Sequence, residues 1–300
     1  MAAPATRAQF PALHIPERSW QRWLSFLISA GLLTAILLQF DRLGLAKLWS
    51  VLPVNPMFWM AFAAYYLALP ASEWVIYRRL WDIPAAGFGA LLRKLVSNEL
   101  LLGYSGELSF YAWARRKMNL TTTPFGAIKD VSINSAIAGN VVTLVMIVLA
   151  WPSLILLHFG PAPRDIALSA GALLLVSVAA LLFKRRLFSL PAAELRFVFG
   201  IHVARLAATT LLSGLIWHSA LPDVPLSLWV LLAAMQLLVT RLPFVPNKDL
   251  VFAGLALFVV GHDSEVAALI GIVAALILIT HVVLGGMLAI FDMLDMAEPQ

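Results

Sequence analysis

The chain has no cysteine, so disulfides, thiolate metal sites and cysteine nucleophiles are excluded, and the redox compartment leaves no trace in the sequence. Charge is scarce. Asp, Glu, Lys and Arg make up 12% of the residues, where a soluble domain carries about 25%. There is no H-E-x-x-H zinc sequence, no paired-aspartate motif of the CDP-alcohol transferases, and no metal-ligand spacing among the six histidines. No bound metal or cofactor is expected. No stretch is polar enough to form a soluble domain. The longest polar segment, residues 1–22, does not read as a signal peptide, because Pro4, Pro11, Glu17 and Arg18 precede the apolar run and no small-residue cleavage site follows.

What the chain has is apolar length. Hydrophobic residues make up 61% and the mean hydropathy is +0.89, which identifies an integral membrane protein. Residues 23–40 carry no charge, enough to cross a hydrocarbon core about 30 Å thick at about 1.5 Å per residue. Similar runs predict spans near 57–77, 125–151, 166–183, 191–218 and 264–291. The net charge of +5 resides mostly in short loops, so it reports topology and not nucleic-acid binding. Arg7, Arg18 and Arg22, the Arg78-Arg79 pair, Arg115-Arg116-Lys117 and Lys184-Arg185-Arg186 predict that both termini are cytoplasmic, in a bacterial inner membrane. The expected domains are an arm over 1–22, one transmembrane domain over 23–292 and a tail over 293–300.

Two segments do not fit as simple spans. Residues 80–124 are bracketed by basic clusters and broken by Pro84, Gly87, Gly89, Gly103 and Gly106. Residues 224–262 lie between Asp223 and Asp263 and are broken by Pro243, Pro246 and Asn247. Each reads as a re-entrant helical hairpin, the first entering from the cytoplasm and the second from outside; the plainer alternative is one ordinary tilted span plus a loop in each. The expected fold is therefore all-α, with about six transmembrane helices plus two re-entrant hairpins. Irregular backbone at membrane depth survives only where protein or a watery cavity surrounds it, and two interrupted segments from opposite sides mark a central transporter-type site.

Charges within apolar segments are expensive and normally face a bundle interior. The first hairpin holds Asn98, Glu99 and Glu107. The 125–151 span begins with Lys129 and Asp130, followed by Ser132 and Asn140. The 191–218 span carries His202 and Arg205, which share one helical face with Thr209 and Ser213. The second hairpin holds Arg241, Lys248 and Asp249. Gly103, Gly106, Pro243 and Pro246 would supply the turns. The plainer reading of the Ser, Thr and Asn members is interhelical hydrogen bonding, each bond contributing about 0.6 to 2 kcal/mol. Arginine's planar fork also suits phosphate, so an anionic lipid headgroup, of a phospholipid or a polyprenyl-type lipid, is the expected partner.

Asn98, then Gly106-Glu107, then the basic cluster before a long span resembles the transmembrane domain family of lysylphosphatidylglycerol synthases/flippases. The stretch RLPFVPNKDLVFAGLALFVVG, 241–261, is similar to that family's proline-containing turn and following apolar segment. The resemblance implies a lipid translocase without an attached aminoacyl-transfer domain, and it carries Asn98, Gly106 and Glu107 over as functional positions. The chain departs from the pattern in three places. Asn247, Lys248 and Asp249 replace glycine-rich sequence after Pro246. Val251 to Ala253 stand where a glutamate is usual. Phe110 occupies the place of a basic residue.

Two other functions compete. GYSG at 103–106 matches the G-x-S-G of rhomboid proteases, with His281 in HVVLGG as the base that would activate Ser105; Glu107 has no part in such acyl transfer. The chain could also be a non-catalytic partner in a lipid-synthesis complex.

Overall fold

The computed structural model describes residues 54–100, 105–117, 125–156, 188–242, 245, 247–261 and 264–297. Among them the chain is wholly helical. Its elements are α1 (Pro56–Trp81), α2 (Gly87–Leu100), α3 (Ser105–Lys117), α4 (Phe125–Leu156), α5 (Ala192–Ala220), α6 (Leu226–Thr240), α7 (Lys248–Val260) and α8 (Glu265–Ala297). The expected spans at 23–40 and 166–183, and the turn residues Gly103, Pro243 and Pro246, lie outside the described residues.

Three described helices are long and apolar enough to cross a membrane: 125–153 of α4, 192–220 of α5 and 265–288 of α8. They coincide with three of the predicted spans. The span expected at 57–77 is a continuous 26-residue helix, α1, but it falls short of the same apolar measure. Tyr65, Tyr66, Pro70 and Glu73 lower its hydropathy. α1 starts where Asn55 caps it, its side chain accepting the Met57 N–H at 2.9 Å, with Pro56 in the first turn. It stops at Asp82, whose φ of 51° is left-handed. α8 continues to Ala297, into the region expected as a tail.

Each broken segment becomes a pair of short helices. α2 and α3 pack against each other. Ser105 Oγ donates to the Ser97 carbonyl at 2.7 Å, and the Gly106 N–H donates to Asn98 Oδ1 at 2.7 Å. A Cβ on Gly87 would meet Trp113. Low positions on one helix thus meet high positions on the other, so the pair is an antiparallel hairpin. In the second segment, α6 ends at Thr240 and α7 begins after Asn247, which takes a left-handed φ of 48°.

α5 packs along α1 and also against α4 and α6. At one end Arg79 grips Glu194 with two hydrogen bonds of 2.9 and 3.1 Å; at the other, Phe58 and Trp217 share one apolar core. α1 and α5 are therefore antiparallel. Trp217 anchors that core, its ring 5.7 Å from Trp229 and 5.9 Å from Phe252. A smaller core gathers Tyr77, Leu91, Phe110, Val131 and Val198 at the Arg79–Glu194 end. Outside, α4 exposes Val145, Val148 and Leu149, α5 exposes Leu211, and α8 exposes Ile279, Val282 and Val283. Inside, Glu73, Lys94, Asp130, Asn140, His202 and His281 are buried. Exposed apolar faces over a polar interior invert the soluble pattern and suit a surface that meets acyl chains.

Candidate functional site

Between the two apolar cores lies a cavity of about 410 Å³, to which every described helix contributes. The long helices show why it sits there. Along α1 the order is Phe58 and Phe62 in the large core, Tyr65 to Glu73 at the cavity, then Ile76 and Tyr77 in the small core. Along α5 the order reverses: Val198, then Arg205 to Ser213, then Ile216 and Trp217. Each helix is apolar at both ends and polar in the middle. Of the residues expected at the site, Asn98, Glu99, Glu107, Arg205, Arg241, Lys248 and Asp249 line the cavity.

Its charges form two groups. In the first, Lys94 of α2 donates to Glu73 of α1 at 2.5 Å and lies 3.5 Å from Glu107 of α3. The Lys94 side chain is only 4% exposed, so the triad is deep enough for each charge to need its partners. Lys94 meets Glu107 because the α2–α3 hairpin places position 94 opposite position 107.

The second group gathers at the corner between α6 and α7. Asp249 Oδ1 accepts from Tyr65 Oη at 3.5 Å and from Gln236 Nε2 at 3.3 Å, and Gln236 Nε2 also donates to Tyr65 Oη at 3.1 Å. Lys248 donates to the Thr240 carbonyl at 3.0 Å. Arg241 bonds Thr240 Oγ1 through Nη2 at 2.8 Å, and its guanidinium lies where a Cβ on Gly139 of α4 would stand. Glu99, near the end of α2, sits beside the backbone of Asn247 and Lys248. The far ends of the two short-helix pairs thus converge on one pocket.

Arg205 differs from the other cations. Among the described residues its single hydrogen bond is a long one, from Nη2 to Ser135 Oγ at 3.4 Å, and its buried Nε has no partner. No carboxylate among the described residues is within ion-pair distance of it. Thr209 and Ser213 continue its face along the cavity wall.

Three expected site residues lie elsewhere. Lys129 and Asp130 pair with each other at 3.3 Å, away from the cavity. Asp130 is fully buried, and its Oδ2 accepts from the Ser189 N–H at 2.6 Å, Ser189 Oγ at 3.2 Å and the Leu190 N–H at 2.7 Å. It fixes the chain entering α5. We expect Asp130→Ala to cost about 1–3 kcal/mol by stranding those donors, read as a lower melting temperature in detergent; full stability with lost activity would return Asp130 to the site. His202 is wholly buried beside Val131 of α4, in the apolar region one turn from Arg205. Asn134 similarly links α4 to α5, donating to the Leu195 carbonyl at 2.7 Å.

The serine and histidine of the protease-like pattern do not meet. Ser105 serves the hairpin, and His281 Nδ1 shares a 2.6 Å hydrogen bond with Tyr66 Oη. The sequence reading missed Glu73 and Lys94, although an isolated charge in an apolar run is a usable signal. Tyr65, Tyr66 and Gln236, which carry no such mark, also line the cavity. No family model, curated protein or solved structure matches the chain.

Proposed function

We propose that the protein is a lipid translocase that holds the phosphate of a lipid headgroup in the central cavity. Arg205 carries this reading. A buried guanidinium with an unpartnered Nε and hydroxyl neighbours suits an anion, because a charge at membrane depth is normally neutralised and the guanidinium fork matches phosphate oxygens. The exposed apolar faces of α4, α5 and α8 leave the acyl chains in the bilayer while the headgroup occupies the pocket.

In this reading the protein has about six spans, with α2–α3 and α6–α7 as re-entrant hairpins from opposite faces, in a bacterial cytoplasmic membrane with both termini inside. Small movements of either hairpin end would open the cavity to one side at a time. Kinship with the lysylphosphatidylglycerol synthase/flippase transmembrane family belongs to the same proposal. Its support is that Asn98, Gly106 and Glu107 form one local unit around Lys94.

The test is lipid movement in proteoliposomes, followed by dithionite quenching of a fluorescent phospholipid. Arg205→Gln is expected to slow movement by about tenfold or more, the loss of one charge-assisted contact of roughly 1.5–3 kcal/mol, while the melting temperature holds. Movement at the wild-type rate in a folded Arg205→Gln protein would end the proposal.

A further inference from the structure

Resting on the lipid reading, we infer that the preferred headgroup is zwitterionic, a phosphate diester joined by a short spacer to a primary ammonium group. Among the described residues the cavity wall carries four carboxylates, Glu73, Glu99, Glu107 and Asp249, and four cations, Lys94, Arg205, Arg241 and Lys248. The wall is balanced, so a headgroup of zero net charge enters without upsetting it, whereas an anionic one leaves a buried excess.

The balance is divided in space. The Lys94 triad sets two carboxylates against one ammonium and so carries one net negative charge, with Glu107 Oε2 unpartnered among the described residues. Arg205 is left without a carboxylate in contact. Elsewhere on the wall, Glu99 and Asp249 stand without an ion-paired Lys or Arg among the described residues, although Lys248 is nearby and Glu99 accepts from the backbone N–H groups of Asn247 and Lys248. Asp249 takes both of its hydrogen bonds on Oδ1, which leaves Oδ2 for an incoming N–H donor. Tyr65 joins the two poles. Its hydroxyl contacts Asp249 and Gln236, and it lines the same cavity wall as Arg205. The anion seat and the cation seat line one cavity of about 410 Å³, which calls for a short spacer of the ethanolamine type.

An ammonium also fits better than a quaternary amine. Asp249 Oδ2 and the Glu99 carboxylate are hydrogen-bond acceptors, and a primary ammonium brings three donors. A trimethylated nitrogen brings none.

The experiment is native mass spectrometry of the purified protein exchanged against mixed vesicles of phosphatidylethanolamine, phosphatidylglycerol and phosphatidylcholine with identical acyl chains. The expected order places phosphatidylethanolamine at least about tenfold ahead of the other two. Asp249→Asn and Glu99→Gln, which preserve shape, should erase that preference and leave phosphatidylglycerol binding in place. Arg205→Gln should weaken all three. Equal retention of the three lipids by the wild type, with Arg205→Gln still weakening them, overturns the zwitterion inference and leaves the lipid reading standing. Phosphatidylglycerol ahead of phosphatidylethanolamine overturns it as well. Retention of none of the three, in a folded protein, removes the lipid reading itself.

Discussion

Gly106→Ala is expected to break the α2–α3 hairpin, although local propensity argues the other way. Gly106 lies in the first turn of α3, and within helices alanine is favoured over glycine by about 1 kcal/mol. Packing reverses the sign. A Cβ at 106 would run into the Lys94 backbone carbonyl and come within 2.8 Å of Asn98 Oδ1. The carbonyl is part of the α2 backbone and cannot swing aside like a side chain. Overpacking of this kind costs about 1–3 kcal/mol where side chains can adjust; against backbone we expect the upper end or beyond. The displacement would also lengthen the 2.7 Å bond from the Gly106 N–H to Asn98 and move Glu107 away from Lys94. Gly89→Ala is the control, because a Cβ there meets nothing within 4 Å. Melting in detergent should show Gly106→Ala strongly destabilised and Gly89→Ala at or above wild type. Equal stability of the two variants would mean that the helices do not approach as closely as described.

The same glycine illustrates what the sequence disclosed and what it hid. Gly106 and the neighbouring interruptions announced that 80–124 could not be one straight helix, because glycine and proline act on the chain locally. Depth and partnership are not local. His202 and Arg205 were placed on one face by their spacing, and that is their azimuth in α5. Spacing says nothing of height along the axis, and one turn carries His202 from the cavity into the apolar core. Asp130 stands out in the sequence as a charge in an apolar run. Its partners, the N–H groups of Ser189 and Leu190, are 59 and 60 residues away, and no local pattern predicts that meeting. Tyr65 and Gln236 were overlooked for the opposite reason. An uncharged polar side chain in an apolar helix is ordinary, and only the convergence of α1, α6 and α7 makes these two the partners of Asp249.

Lys94→Met is expected to be the most damaging single side-chain change in the molecule. Lys94 stands between Glu73 and Glu107, 2.5 Å from one and 3.5 Å from the other, and its side chain is 4% exposed. Methionine matches its length and fills its volume, so packing survives while the charge is lost. Two carboxylates then face each other with no cation between them. Removing one partner of a buried ion pair costs about 3–5 kcal/mol, and here a single substitution strands both acids. The expected result is low yield of folded protein and early melting in detergent. Compensation separates charge from shape. Lys94→Met combined with Glu73→Gln and Glu107→Gln removes all three charges together and should restore most of the lost stability, because a buried charge network replaced by neutral groups of similar size is often nearly neutral in free energy. If the triple variant is as unstable as Lys94→Met, the triad holds the helices by geometry that glutamine cannot reproduce, and the electrostatic account fails. If it folds, its lipid movement becomes informative in a second way. A folded triple variant that retains transport confines the transport chemistry to Arg205 and the α6–α7 corner. One that is folded and inactive places Glu73, Lys94 and Glu107 on the path of the headgroup, where a network of opposed charges can open and re-form as a charged ligand passes.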